Sequence, residues 1–163
     1  MTLSERNNDL MMRRREKEIK DETTLRAVIR QSLVCRLGLC DGYRPYVVPL
    51  SFGYEDGYLY FHAAHEGKKI EIIRRNNSVC FEFDANAEIV ESEEACDWGM
   101  RYKSVIGFGK AVIVDDVEEK RRALEIIMKQ YSENSFSFSD QSVASTTVIQ
   151  IEIESMSGKQ SGY

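Results

Sequence analysis

The four cysteines form no C-x-x-C pair, so the spacing of a structural zinc site is missing. Cys35, Cys40 and Cys80 lie in or at the end of apolar runs and read as small buried hydrophobes, while Cys96, among acids, reads as exposed. No apolar run approaches the ~20 residues of a membrane-spanning helix. The opening MTLSERNNDLMMRRREKE has no apolar h-region, so it does not read as a signal peptide. A net charge of −5 lacks the basic excess that nucleic acid calls for. No G-x-G-x-x-G follows a strand-like run, and no G-x-S-x-G is present, which leaves a dinucleotide fold and a hydrolase elbow unsupported. The two histidines, His62 and His65, have no third ligand at local spacing, so no metal site is expected. These absences leave one cytoplasmic domain without internal repeats.

What is present is organised around residues 47–83, VVPLSFGYEDGYLYFHAAHEGKKIEIIRRNNSVCFEF. Two alternating apolar runs flank Asp56-Gly57, the strongest short-range hairpin signal. Gly67-Lys68-Lys69 then opens a short amphipathic helix. Free backbone N–H groups and two cations at a helix start suit a phosphate, whereas cations alone there oppose the helix dipole. The other reading is two solvated lysines.

Taken in order, residues 1–18 read as a mobile arm with the solvated charge run Arg13-Arg14-Arg15. Asp21 caps a helix over 22–32 with Leu25, Val28, Ile29 and Leu33 inward. Six strands are expected, over 34–40, 44–54, 58–63, 78–84, 103–114 and 146–153. A primed turn at Asp41-Gly42 joins the first two. The second holds both prolines, Pro45 and Pro49. Proline cannot donate to the ladder, so this is an edge strand, or a strand whose freed backbone groups meet a ligand ring. Tyr58, Tyr60 and His62 share one face of the third strand. His62 reads as a buried, hydrogen-bonded histidine or as a cofactor contact. Helices are expected over 67–75 and after Asp115-Asp116, the latter with Leu124, Ile127, Met128 and Tyr131 inward. Residues 87–100, acidic and holding Trp98, read as a surface excursion; 134–145 read as a loop, and 156–163 as a tail. Gly107 and Gly109 allow close backbone approach. Ser104 shares a face with Tyr102 and Ile106. Strands joined by hairpin-type links, with helices outside, predict a mainly β (α+β), six-stranded antiparallel barrel.

Four segments carry a resemblance: MRRREKEI, CRLGLCDGYRPYVVPLSFGYEDGYLYFHAAHEGKKIE, YKSVIGFGKA and IQIEIESMSGKQ. Through them the chain resembles the pyridoxamine 5′-phosphate oxidase-like flavoproteins, and within them the nitroimidazole resistance (Nim-like) branch. The resemblance implies a split β-barrel over 19–155 that binds FMN at a homodimer interface. It places Val48, Pro49, Leu50 and Ser51 along the flavin ring, largely through backbone. It places His62, Lys68 and Lys69 on the phosphate side, and Ser104 facing the ring or ribityl chain. The arginine-rich end used on pyridoxamine phosphate is missing from SGKQSGY, which argues against the vitamin reaction. A lysine pair stands where relatives use arginine and lysine, so phosphate is not gripped bidentately.

The function expected from this is an FMN-dependent oxidoreductase. It takes electrons from NADH or NADPH and passes them to a small acceptor, a nitroaromatic among the candidates. His62 is the expected proton donor. Trp98, Phe136 and Phe138 are candidates for covering the ring from the partner subunit. The alternatives are a non-catalytic flavin- or haem-binding module and an interaction domain without cofactor.

Overall fold

The computed structural model describes residues 14–163. The arm expected over 1–18 therefore lies mostly outside the described residues. Its end forms a single 3-10 turn, Arg15–Lys17, and enters strand β1 (Glu18–Ile19). Helix α1 (Glu22–Gln31) follows, then β2 (Cys35–Asp41), β3 (Arg44–Leu50), β4 (Gly53–Glu55), β5 (Tyr58–Ala63), α2 (Lys68–Arg75) and β6 (Ser78–Val90). Strand β7 (Gly99–Val114), α3 (Val117–Lys129), α4 (Asp140–Ala144) and β8 (Thr147–Ser161) complete the chain. The sheet runs β3-β2-β6-β7-β8-β5-β4, with β1 on β8. Its two ends do not pair, so it is open, as a split barrel requires. Among the described residues no helix is long and apolar enough to cross a membrane.

Among the described residues, eight strands stand where six were expected. The expected second strand changes partner midway: β3 pairs with β2, whereas β4 pairs with β5. The two-residue β1 is too short for a periodic signal. Three expected strands were also too short: β6 runs on to Val90, β7 starts at Gly99, and β8 reaches Ser161. Strand β8 thus takes in most of the expected tail, and β1 pairs on it at Gly158 and Lys159.

The chain divides into two compact units. In the first (of the described residues, 14–32, Phe83–Ile106 and Met156–Tyr163), the Asp21 carboxylate accepts from the Thr24 N–H at 2.8 Å and the Thr24 hydroxyl at 2.6 Å. This capping fixes where α1 starts. Leu25, Val28 and Ile29 are buried, as their spacing predicts. Leu33 is not: it is 72% exposed, because the helix has already ended at Gln31 and the helical period no longer applies. The buried Ser32 hydroxyl donates to the Val28 and Asp84 carbonyls. The excursion expected over 87–100 is the exposed end of β6 and β7, where Trp98 Nε1 donates to the Ser92 carbonyl at 2.7 Å.

In the second unit (Leu33–Glu82 and Gly107–Ser155), Leu37, Leu59, Phe61, Phe81, Ile149 and Ile151 are fully buried. They alternate with more exposed neighbours, the period-two pattern of strands. A β-carbon on Gly107 would collide with the Phe81 ring and the Ser155 carbonyl, so the expected close approach is real. Asp116 caps α3 by accepting from the Glu119 N–H. Leu124 and Ile127 pack with Val143 and Val148, and Tyr60 and Phe138 lie against them. The loop expected over 134–145 contains α4, capped by Ser139; serine-rich composition concealed a serine cap. The Cys35 thiol is buried and its pKa pushed up by burial, and Cys80 is pushed up for the same reason. Cys96 is exposed, as expected.

Candidate functional site

The second unit contains most of the residues expected to bind a cofactor. Its geometry begins at the turn between β2 and β3. Gly42 has φ +66°, the left-handed value that the first position of a primed turn needs. That turn closes at the Asp41–Arg44 pair, and six further pairs follow without a break to Cys35–Leu50. Strand β3 is a sheet edge, one of the two readings expected, and its ladder runs unbroken past both prolines. Hydrogen-bonded and non-bonded pairs alternate in an antiparallel ladder. Counted from the closing pair, Pro45 and Pro49 fall on non-bonded pairs. Their nitrogens point away from β2, where no partner is missed. Strand β3 ends the sheet order, so its outer edge keeps the carbonyls of Pro45, Val47 and Pro49 but only one strand N–H, that of Val47. The edge is rich in acceptors.

Side chains on β3 divide by face. Tyr46, Val48 and Leu50 are half-buried, while Pro45, Val47 and Pro49 are exposed. Tyr46, Val48 and Leu50 stand opposite Leu39, Leu37 and Cys35, all buried. Pro49 and Ser51 therefore point the other way, and a ligand along β3 meets the four expected residues by backbone or by two different faces.

Helix α2 begins at Gly67, whose φ of +139° lies where side chains are strained. No side chain caps this helix start, so its first N–H groups are not occupied by a cap. Ile70 and Ile73 are buried as expected. Lys68 Nζ lies 5.0 Å above the Tyr46 ring and 4.0 Å from Asp41 Oδ2. Arg75, two turns on, reaches the other Asp41 oxygen at 3.1 Å. The structure thus brings Lys68 to the head of the Tyr46–Val48–Leu50 face. Four residues of strand from Tyr46 to Leu50 span about 13 Å. Lys68 and Leu50 thus stand at opposite ends of that face. The Lys68–Asp41 contact is half-exposed, and such pairs are worth about 0–1 kcal/mol. A phosphate hydrogen bond to a charged group contributes about 1.5–3 kcal/mol.

His62 is exposed and pairs with Val148 across the β5–β8 ladder. It lies on the face that α3 and α4 cover at Tyr60 and Val148. His65 is the better-held imidazole, with Nδ1 2.9 Å from the buried Thr147 hydroxyl. Ser104 is half-buried on β7 in the first unit, in step with Tyr102 and Ile106. Phe138 packs within its own unit, whereas Trp98 and Phe136 are exposed. Sequence reading missed Asp41, Tyr46 and Arg75. Asp41 was visible only as a turn residue, and the four-residue β3 spacing that links Tyr46 to Leu50 carries no motif.

Comparison with known proteins identifies the family and the fold. The family model described as pyridoxamine 5′-phosphate oxidase matches residues 21–160. A proposed 5-nitroimidazole antibiotic resistance protein from Bacteroides thetaiotaomicron is 40% identical, with 88% of this chain and 86% of that chain covered and a TM-score of 0.80. A FAD-binding protein from Mesorhizobium loti is 26% identical over 87% of this chain and 96% of its own, at a TM-score of 0.65. The flavocytochrome Anf3 from Azotobacter vinelandii shares the fold: 18% identity, 94% and 73% coverage, TM-score 0.81. No curated protein matches the chain.

Proposed function

Because the chain belongs to the pyridoxamine 5′-phosphate oxidase family, we propose that it is an FMN-dependent oxidoreductase that passes electrons from NADH or NADPH to a small acceptor. The observation that carries this reading is the seat of Lys68 over Tyr46, on the half-buried face that continues through Val48 to Leu50. The 40% identity to a proposed nitroimidazole resistance protein supports a nitroaromatic as the acceptor class.

The chain's own residues have separate roles in this reading. Lys68, Lys69 and the uncapped N–H groups of α2 hold the phosphate. FMN, with its single phosphate, suits one helix start with two lysines. The outer edge of β3 offers carbonyl acceptors to a ring N–H and fixes the orientation of the ring. A second copy of the chain covers the ring and keeps water from it, with Trp98 and Phe136 available for the cover. His62 is exposed and gives a proton to the acceptor. The bound flavin supplies the redox chemistry, and the protein supplies position and electrostatics. The protein works in the cytoplasm.

The test is a two-stage titration of the FMN-loaded protein without oxygen. NADH or NADPH should bleach the flavin band, and a nitroaromatic should restore it over many cycles. If neither nicotinamide bleaches it, and chemically reduced protein ignores nitro compounds, the chain is a binding module.

A further inference from the structure

Strand β3 stops at Leu50, and Tyr131 stands at the point where it stops. Each β2–β3 pair sums to the same register, from Asp41–Arg44 to Cys35–Leu50. One more hydrogen-bonded pair in that register would join Leu33 to Phe52. The two residues do not complete the ladder. Instead the Phe52 N–H donates to the Tyr131 hydroxyl at 2.9 Å. The same hydroxyl donates to the Leu33 carbonyl at 3.0 Å. A phenol has been spliced into the place of a backbone hydrogen bond.

Burial and packing agree with that role. Phe52 is fully buried and meets the Tyr131 ring edge-on, centroids 6.4 Å apart and planes at 79°. Tyr131 itself follows the last turn of α3, where its N–H still donates to the Met128 carbonyl at 3.0 Å. The phenol oxygen bridges the two chains where the next ladder bond would fall. Past this point the β2–β3 ladder has ended, Phe52 is buried, and the chain forms β4 against β5. The residues just before the splice are Val48, Pro49, Leu50 and Ser51.

We infer that Tyr131 is a positioning residue of the flavin site, whose hydroxyl sets where β3 ends and how its last residues meet the flavin ring. The inference rests on the reading that β3 carries the ring. Tyr131 touches neither ring nor phosphate in this scheme. Its influence should fall on ring binding and spare phosphate recognition. Without the hydroxyl, the Phe52 N–H and the Leu33 carbonyl either close on each other or stay open. Closing would draw Ser51 toward β2; staying open would free it. Both move the end of β3.

The test uses Tyr131→Phe, which keeps the ring packed on Phe52 and removes only the hydroxyl. Conditions are chosen where circular dichroism shows both proteins folded. The dissociation constants of riboflavin and of FMN should rise by one shared factor, about five- to tenfold for the loss of one hydrogen-bonded tie. Amide resonances of Leu50 to Gly53 should shift, while those of α2 stay. Constants within twofold of wild type for both ligands would overturn the inference, and so would a loss confined to FMN. A wild-type measurement serves if the variant does not fold. The Phe52 amide should exchange with solvent more slowly than that of exposed Ser51, and riboflavin should slow it further. Exchange of Phe52 as fast as Ser51, or no response to riboflavin, would overturn the inference. Wild-type protein that binds no flavin but protects Phe52 would remove the proposed function, and the positioning role with it, while leaving the splice intact.

Discussion

Replacing Lys68 and Lys69 together by alanine should weaken FMN about 100-fold and leave riboflavin within about twofold. The estimate takes charge-assisted contacts at about 1.5–3 kcal/mol each and removes what Lys68 gives up at Asp41, about 0–1 kcal/mol for a half-exposed pair. A net loss of about 2.7 kcal/mol is a factor of 100. Riboflavin has no phosphate and should not register the change. Folding stability should stay level or rise slightly, because a cation in the first turn of a helix opposes its dipole by about 0.3–1 kcal/mol. Asp41 keeps Arg75 as a partner at 3.1 Å, so no acid is left alone. Isothermal titration with both ligands checks the result. Equal weakening of FMN and riboflavin would mean that the lysines do not read the phosphate.

His62→Ala carries the second large effect. If His62 gives its proton to the acceptor, reoxidation of the reduced protein by a nitroaromatic should slow by about 10²–10⁴-fold. Reduction by the nicotinamide needs no proton from the protein at that point and should change little. Stability should change little as well, since His62 is exposed. Stopped-flow traces of the two half-reactions separate these outcomes. Intact rates in both would remove His62 from the mechanism and leave the enzyme standing. In that case His65, held on Thr147, becomes the imidazole to change next.

The fold was legible where local rules act alone. Asp21 and Asp116 announced their helices, and Asp41-Gly42 and Asp56-Gly57 announced their turns. Alternation in residues 58–63 set Tyr58, Tyr60 and His62 on one face, and the opposite set, Leu59, Phe61 and Ala63, is buried. The legible part fails where a distant residue decides. The break between β3 and β4 is set by Tyr131, about 80 positions along the chain, and no local signal at Ser51-Phe52 marks it. The prolines illustrate a second failure. Proline removes a donor wherever it stands, but whether the ladder misses that donor depends on register parity. Parity is fixed by the turn at Gly42, and from there Pro45 and Pro49 both fall where no bond is made. The site shows the same division. Lys68 and the V-P-L run were readable as motifs. Their common face was not, because it depends on α2 packing near Tyr46 and on the ion pairs of Asp41 with Lys68 and Arg75.

The central claim is that Lys68 and the Tyr46–Val48–Leu50 face hold a flavin with a phosphate tail. The measurement that tests it most directly is a fluorescence titration of flavin-free protein with FMN and, separately, with riboflavin. The account predicts saturable quenching by both at one site per chain, with FMN the tighter ligand. No quenching by FMN at high concentration would contradict it, and a Soret band in the protein as purified would assign the site to haem instead.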